Sequence, residues 1–253
     1  MASPRHEAQK TTEGWPRSQP EARQEGRADD NCMQVAERLD HIMALLIREY
    51  GRHAWRPRRD PLSELIRTIL SQNTSDKNSG PAFEQLRTRF RTWEEVLNAP
   101  TRALADTIRS AGLSNVKAPR IKAVLAEIQE RRSSLDLYFL DQMDLEEAKA
   151  WLRSLPGVGP KTAACVLMFG LGKPALPVDT HVYRVSRRLG LIDRRISVER
   201  AHEVLERLIQ PGQVYDFHLN LVTHGRRVCL AQRPRCSACI LQQDCCYYQQ
   251  QFK

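Results

Sequence analysis

Apolar residues recur at three- and four-residue intervals along most of the chain, which is the period of an amphipathic α-helix. The pattern predicts a first helix from Gln34 to about Gly51, with further helices down to residue 223. Their predicted ranges are 62–70, 79–90, 93–97, 101–111, 119–128, 144–155, 160–169, 180–189, 198–209 and 213–223. No segment alternates with the period of two that marks a half-buried strand. We therefore predict an all-α protein.

The first 33 residues are polar and rich in Gly, Pro, Gln, Arg and Glu, so we expect a disordered tail there. This segment has no apolar core of the kind that a secretory signal needs. No apolar run in the chain reaches the roughly 18 to 20 residues of a membrane span. We therefore expect an intracellular protein without a membrane association, in a bacterial-type cytoplasm and nucleoid or in a eukaryotic nucleus.

Basic residues outnumber acidic ones, 39 to 30, and give a formal net charge of +9. Residues 1–33 hold five basic and six acidic residues, so the positive excess belongs to the rest of the chain. An excess of this sign indicates a polyanionic partner, and binding to nucleic acid would then be sensitive to salt.

A glycine-rich turn, LPGVG, separates two apolar helical patterns at residues 155–159. Pro156 presets one backbone angle, and Gly157 and Gly159 permit left-handed conformations or the close approach of another molecule. The next helix begins with unpaired N–H groups, which suit a phosphate. Pro160 is tolerated at its first position, because that N–H would be unpaired in any case.

Lys161 lies in the first turn of this helix, where the helix dipole disfavours a cation, and apolar residues follow it. We expect this setting to lower the pKa of Lys161 and to favour the neutral amine that a Schiff-base nucleophile needs. An ordinary phosphate contact is the alternative. Asp179, in the segment PVDTH, would supply a carboxylate to the same cleft, or would cap the helix that starts at Thr180. The two roles of Asp179 are compatible.

Five of the seven cysteines lie in the last 25 residues, where four have the spacing C-x6-C-x2-C-x5-C. These four are Cys229, Cys236, Cys239 and Cys245. Thiols stay reduced inside cells, so this density favours a metal over disulfides. Zinc ribbons use two C-x-x-C pairs and this chain has one, whereas four thiolates on short loops suit a cubane iron–sulfur cluster. Zinc, and Cys246 in place of Cys245, remain alternatives.

The segments LPGVGPKTA and VDTHV, followed by HGRRVC and the cysteine spacing, resemble the endonuclease III family of helix-hairpin-helix DNA glycosylases. The resemblance extends over residues 34–246 with its motifs in the family's order. It implies that Lys161 is the Schiff-base lysine, that Asp179 is the essential aspartate and that the four cysteines hold a [4Fe-4S] cluster. One departure is Pro160, where the family usually has a basic residue.

The resemblance also implies a two-lobed helix-hairpin-helix glycosylase fold. One lobe would be a six-helix barrel over residues 62–176, which contains the hairpin. The other would join an N-terminal helix, residues 34–61, to residues 177–246 and would hold the cluster, with a short tail at 247–253. The active site would lie in the cleft between the lobes.

The implied activity is that of a bifunctional DNA glycosylase and AP lyase of base excision repair. The enzyme would flip a damaged nucleotide out of double-stranded DNA, and Lys161 would attack C1′ of the sugar and displace the base. Asp179 would stabilise the developing positive charge, and β-elimination would then cleave the strand at the resulting imine. Oxidised pyrimidines and abasic sites are the implied substrates. We expect a monomer that needs no divalent metal ion.

Other residues are candidates for DNA contacts. The polar run SQNTSDKN resembles the loop with which the family fills the space left by a flipped base, with Asn73 aligned to the usual glutamine and Gln72 beside it. A helix cap is the alternative for this run. Gly157 and Gly159 would approach phosphates, as would Arg233 and Arg235 in the loop between cluster cysteines. The lysines at 117 and 122 are either phosphate contacts or part of a solvated helix face.

Three other functions remain open at this point. A monofunctional glycosylase for damaged or mismatched bases would use Asp179 and water without a lysine adduct. A non-catalytic DNA-binding protein would use the hairpin only to hold phosphates. A redox-sensing protein would use the cluster to control binding without base chemistry.

Overall fold

The computed structural model describes the backbone of residues 25–252, and this part of the chain is helical without a strand. The prediction of an all-α protein is confirmed. Short 3-10 turns occur at Arg109–Ala111, Tyr138–Gln142, Pro211–Gln213 and Cys236–Ala238. The helices are α1 (Glu25–Tyr50), α2 (Pro61–Ser71), α3 (Asp76–Arg89), α4 (Trp93–Asn98), α5 (Thr101–Thr107), α6 (Ser114–Arg132), α7 (Leu145–Arg153), α8 (Pro160–Cys165, continuing as a π-helical turn Val166–Gly170), α9 (Thr180–Leu189), α10 (Val198–Leu208), α11 (Val214–Arg227) and α12 (Cys246–Phe252).

The two ends of the described chain differ from the prediction. Helix α1 begins at Glu25, so a tail over residues 1–33 was wrong for residues 25–33, while residues 1–24 lie outside the described part. A helix already formed extends by one hydrogen bond per added residue, even where no apolar face marks it. The segment predicted as a short tail at 247–253 forms part of α12 up to residue 252. There the Arg188 guanidinium lies 4.9 Å from the Tyr247 ring centre, a contact that holds α12 against α9.

Two other helices begin before their predicted starts. Helix α3 starts at Asp76 and not at residue 79, and α6 starts at Ser114 and not at residue 119. Each contains a proline, Pro81 or Pro119, that the prediction placed at or near the helix start. A proline this close to an N-terminus removes one intrahelical hydrogen bond, which packing of the preceding turn offsets.

Buried apolar side chains form two separate hydrophobic cores. Helices α2–α8 build the first core, which includes Leu62 at its start and Ala175 at its end. Helix α1 and helices α9–α11 build the second, which begins along the chain at Leu39 and includes Leu176. The π-helical turn after α8 contributes Phe169 to the second core, so this helix belongs to both. We propose that the two cores are the predicted barrel and cluster lobes, with the crossing at residues 175 and 176.

The crossing at residues 175 and 176 is held by side chains from both cores. Lys149 of α7 donates to Glu206 of α10 at 2.7 Å. The other oxygen of Glu206 accepts from the Leu176 N–H at 2.8 Å, and Nδ1 of His202 lies 3.0 Å from the Leu176 carbonyl oxygen. Burial lowers the pKa of His202, so a neutral ring donates this bond. These contacts fix the peptide three residues before Asp179.

Lys117 is a structural residue, which neither of its predicted roles anticipated. Its side chain is 2% exposed, and Nζ donates to the carbonyl oxygens of Leu70 at 2.7 Å and Ala111 at 2.8 Å. Burial lowers the pKa of this lysine. Lys122 likewise donates to the Ala99 carbonyl oxygen. Lys117 joins the end of α2 to the turn before α6. The loop that follows α2 and the loop that leads into α6 therefore lie side by side.

Candidate active site and cysteine cluster

A cavity of about 970 Å³ opens where the first turns of α8 and α9 face the loop between α2 and α3. Lys161 and Asp179 both line it, although they come from opposite sides of the crossing between the two cores. Gln72 and Asn73 line the same cavity from the loop. Folding therefore brings together four of the residues that the sequence proposed for the site. The other lining residues are Thr68, Ser71, Thr74, Ser75, Lys77, Thr162, Val178, Thr180, His181, Tyr183, Val198 and Arg226.

Asp179 caps α9, as predicted. Its Oδ1 atom accepts from the backbone N–H groups of His181 and Val182, both at 2.8 Å. A carboxylate at this position also interacts favourably with the positive end of the helix dipole. The cap holds the side chain at the edge of the cavity. In this one position the Asp179 carboxylate both caps α9 and places a negative charge in the cleft.

The prediction of a lowered pKa for Lys161 was wrong. The pKa of Lys161 is raised, first by the charge interaction with the Cys165 sulfur, then by a hydrogen bond to that sulfur and by the carboxylates of Asp179 and Glu64. Burial opposes these effects. The prediction considered the helix dipole and the apolar residues that follow, whereas Asp179 and Glu64 reach the lysine from other elements. Lys161 is therefore an ammonium ion in the free protein and must lose a proton before it can attack.

Two buried histidines were not singled out from the sequence, because a lone histidine in a helix carries no local signal. Burial lowers the pKa of His218 to about 4, so its ring is neutral and donates through Nδ1 to the Pro177 carbonyl oxygen at 2.9 Å. The same ring packs edge-on against Phe169, with ring centres 5.6 Å apart. His218 thus supports the short loop that carries Asp179, as His202 does from the other end.

The hairpin turn needs glycine at position 157. Gly157 has φ +71°, and a Cβ atom there would lie 2.5 Å from Nε of Arg120. Gly159 instead has an extended backbone with φ −91° and ψ 178°, so the left-handed option was wrong for it. In the part of the chain that the structure describes, no atom lies within 4 Å of a Cβ added to Gly159, which leaves room for another molecule.

Gln72 and Asn73 have different environments although they are neighbours. The Gln72 side chain accepts from Nη1 of Arg120 at 2.8 Å, and its amide nitrogen lies 3.3 Å from the Gly157 carbonyl oxygen. Asn73 is exposed, with a left-handed φ of +54°. The loop beside it carries Leu113, which also has a left-handed φ, +51°, and is 55% exposed. An exposed leucine in a strained backbone was not anticipated from the sequence, although Gly112 before it marks the turn.

The four predicted cysteines line one cavity next to α9 and α11. Cys246 is not among them: its sulfur lies 3.6 Å from Nη2 of Arg38 and packs against Gly190, where an added Cβ would be 2.5 Å away. Among the side chains described, no three His, Cys, Asp or Glu residues form a site for a single metal ion. Of the two adjacent cysteines, Cys245 is therefore the one that shares a cavity with the other three.

N–H groups point at the sulfur atoms in this cavity. Nη1 of Arg188 lies 3.2 Å from the Cys229 sulfur, and the Leu241 N–H lies 3.4 Å from that of Cys239. Burial raises the pKa of the Cys239 thiol to about 11 and also raises that of Cys236 and Cys245. Metal binding would displace these protons. Four sulfur donors, supported by N–H groups, fit an iron–sulfur cluster.

Comparison with known proteins agrees with this geometry. Residues 66–211 match the family described as HhH-GPD superfamily base excision DNA repair protein. The chain is 37% identical over 194 residues to endonuclease III of Thermotoga maritima, covering 77% of this chain and 86% of that protein. It is 39% identical over 165 residues to an Arabidopsis thaliana protein named as a DNA glycosylase. That match covers 65% of this chain and 56% of the plant protein, so the chain spans little more than half of the plant protein's length.

A solved structure of a trapped endonuclease III–DNA covalent intermediate has the same fold, with a TM-score of 0.73 and 28% identity over 86% of this chain and 99% of that one. The chain therefore belongs to the HhH-GPD superfamily of base excision DNA repair proteins. Within it, the predicted resemblance to endonuclease III is confirmed. In residues 25–252, no helix is both long and apolar enough to cross a lipid bilayer.

Proposed function

We propose that this protein is a bifunctional DNA glycosylase and AP lyase, which excises damaged bases from double-stranded DNA and cleaves the strand. The observation that carries the proposal is the meeting of Lys161 and Asp179 in one cavity of a base excision repair fold. Oxidised pyrimidines and abasic sites are the substrate class that the resemblance to the endonuclease III family implies. Such an enzyme acts where genomic DNA is kept, in a cytoplasm with a nucleoid or in a nucleus.

The reaction needs a nucleophile and a nearby negative charge. The Lys161 amine, once deprotonated, forms a bond to C1′ as the bond from C1′ to the base breaks, and the base leaves with a proton. The Asp179 carboxylate stabilises the positive charge that develops on the sugar. The ring oxygen O4′ then takes up a proton as the bond from C1′ to O4′ breaks, which leaves an iminium ion whose nitrogen keeps one proton. Removal of a C2′ proton then breaks the bond from C3′ to the phosphate oxygen, and water releases the lysine.

Three features would hold the duplex. Gly159 leaves the start of α8 open to a backbone phosphate, and the left-handed Gly157 forms the turn before it. Asn73 and Leu113 project from adjacent loops, so we propose that they enter the base stack on the two sides of the extruded nucleotide. Gln72 would act indirectly, because its amide is already bonded to the hairpin and Arg120.

We also propose that Cys229, Cys236, Cys239 and Cys245 hold a [4Fe-4S] cluster. The cluster would be structural, because its cavity shares no lining residue with the cavity that contains Lys161. It would instead shape the loop between the first two cysteines. Arg233 and Arg235 are exposed on this loop, where they would contact DNA phosphates.

The adjacent cysteines provide a matched test of the cluster. We expect Cys245→Ser to lose most bound iron and acid-labile sulfide and to lower the thermal midpoint, because one of four ligands is removed. Cys246→Ser should keep iron at the wild-type level, since its sulfur packs against Gly190 away from the other four. Iron, sulfide and melting curves of the anaerobically purified proteins measure this. The reverse pattern would make Cys246 the ligand.

The basic loop can be tested by its effect on salt dependence. We expect the double change of Arg233 and Arg235 to glutamine to weaken binding to undamaged duplex and to reduce the slope of log K against log salt by roughly two. The control changes Arg48 and Arg102, two exposed arginines outside the loop, to glutamine and removes the same charge. Equal slopes for both double variants would exclude phosphate contacts by the loop.

Borohydride trapping tests the proposed function. Duplexes that contain thymine glycol, an abasic site or no lesion are incubated with the full chain and borohydride, which reduces an imine to a stable adduct. We expect adducts on both damaged duplexes and none on the intact one. Base release without an adduct would indicate a monofunctional glycosylase. Binding without base release or adduct on any duplex would indicate a non-catalytic DNA-binding protein. If, in addition, the redox state of the cluster controlled this binding, the protein would be a redox sensor.

A further inference from the structure

A buried histidine in the last turn of α11 contacts two of the four cysteines that line the cluster cavity. His224 is 1% exposed, and its carbonyl oxygen accepts from the backbone N–H of Cys229 at 2.9 Å. Its ring lines the same cavity as the four cysteines, with Nε2 at 3.6 Å from the sulfur of Cys239. One residue therefore holds the first cysteine through its backbone and the third through its side chain.

The other ring nitrogen of His224 bonds to the end of α1. Nδ1 lies 3.0 Å from the hydroxyl oxygen of Tyr50, the last residue of that helix, and the two rings meet edge-on with centres 6.0 Å apart. Burial raises the pKa of Tyr50 to about 12, so its hydroxyl keeps its proton. Tyr50, His224 and the Cys239 sulfur thus form a chain of hydrogen bonds that joins α1 to the cysteine cavity.

The direction of these hydrogen bonds depends on the state of the Cys239 sulfur. A free thiol can donate to Nε2 of His224, whereas a thiolate that binds iron has no proton and can only accept. On a cluster ligand, Nε2 must therefore carry a proton and donate. Burial favours the neutral ring, which has a single N–H, and this leaves Nδ1 to accept from the Tyr50 hydroxyl.

We propose that His224 is a positioning residue for the iron–sulfur cluster: its Nε2–H donates to the Cys239 sulfur, orients this ligand and raises the reduction potential of the cluster. The Tyr50 hydroxyl keeps the ring in the tautomer that can donate. The inference rests on the proposed cluster and adds the two residues that would tune it. A hydrogen bond to a cluster sulfur withdraws negative charge from it and so favours the reduced, more negative state.

The other N–H groups at the sulfur atoms do not depend on His224. The Leu241 N–H that lies 3.4 Å from the Cys239 sulfur belongs to the backbone, and Arg188 contacts a different sulfur, that of Cys229, at 3.2 Å. A change of the His224 side chain therefore removes one hydrogen bond and leaves all four ligands and both of these donors in place. The expected effect is a shift in cluster properties and not the loss of the site.

Two measurements on the anaerobically purified full chain test this proposal. Protein-film voltammetry gives the reduction potential of the cluster, and the decay of its visible absorbance gives the rate of iron loss to a chelator. His224→Phe keeps a ring without the N–H, so its potential should be more negative and its iron loss about tenfold faster. Tyr50→Phe should shift the potential in the same direction by a smaller amount. His224→Gln, which offers an amide N–H to the sulfur, should recover part of the wild-type potential.

Tyr138→Phe is the matched control, because it removes the same hydroxyl from a side chain that is 54% exposed on the turn before α7. Its potential and its rate of iron loss should equal those of the wild type. An unshifted potential in His224→Phe, or in Tyr50→Phe should the His224 variant hold too little iron to titrate, would overturn the proposal. If the wild type itself held no iron, the proposed cluster would fail instead.

Discussion

Replacing Lys161 by alanine is expected to abolish adduct formation on abasic and thymine glycol duplexes and to lower base excision by about 10⁴-fold or more. The variant removes the nitrogen atom that would bond to C1′, so this covalent bond cannot form at residue 161. We expect it to bind abasic DNA within about tenfold of the wild type, because most binding free energy comes from phosphate contacts elsewhere. Gel analysis of the reduced adduct and single-turnover base release measure the two effects.

Lys77 is a suitable control for this experiment. It also lines the cleft and is exposed on α3, so Lys77→Ala removes a second amine from the same cavity. We expect it to keep adduct formation and to lose only some affinity. If Lys161→Ala still formed the adduct and Lys77→Ala did not, Lys77 would be the nucleophile. Adducts in both single variants would mean that the amine is not specific.

The location of the site followed from local sequence signals. A proline and two glycines before Lys161 define the hairpin, and Asp179 comes directly before a helical pattern. Each signal lies within about five residues of the side chain concerned, where turn and cap chemistry decide the structure. The two lobes could also be predicted from the sequence. The periodic apolar residues marked each helix, and the resemblance supplied the arrangement of the helices.

What could not be predicted depends on contacts between distant segments. The raised pKa of Lys161 depends first on Cys165 and then on the carboxylates of Asp179 and Glu64. These carboxylates reach the lysine from α9 and α2, and α2 packs on α8. The burial of Lys117 requires two carbonyl groups from separate turns. An amphipathic pattern places a lysine on the polar face and gives no indication that a chain segment covers it. Neither Lys117 nor Glu64 has the environment that its local sequence predicts, and Glu64 lies beside the proposed active site.

Changing Asp179 to asparagine is expected to lower base excision by about 10²- to 10⁴-fold and to leave the fold intact. Asparagine keeps an oxygen that accepts from the N–H groups of His181 and Val182, so the α9 cap survives while the charge is lost. Loss of the carboxylate also lowers the pKa of Lys161, because Asp179 helps to raise it. The deficit should therefore be in charge stabilisation and not in the supply of amine.

Asp179→Ala separates the two roles of this residue. It removes both charge and cap, so we expect excision as low as in the asparagine variant and a further loss of about 1 kcal/mol in the free energy of unfolding. Urea unfolding and single-turnover excision, measured on the wild type and both variants, distinguish these effects. An asparagine variant as active as the wild type would reduce Asp179 to a cap. Since Lys161 would then act without a carboxylate in the cleft, the positive charge on the sugar would need a different partner, for which Glu64 is too deeply buried.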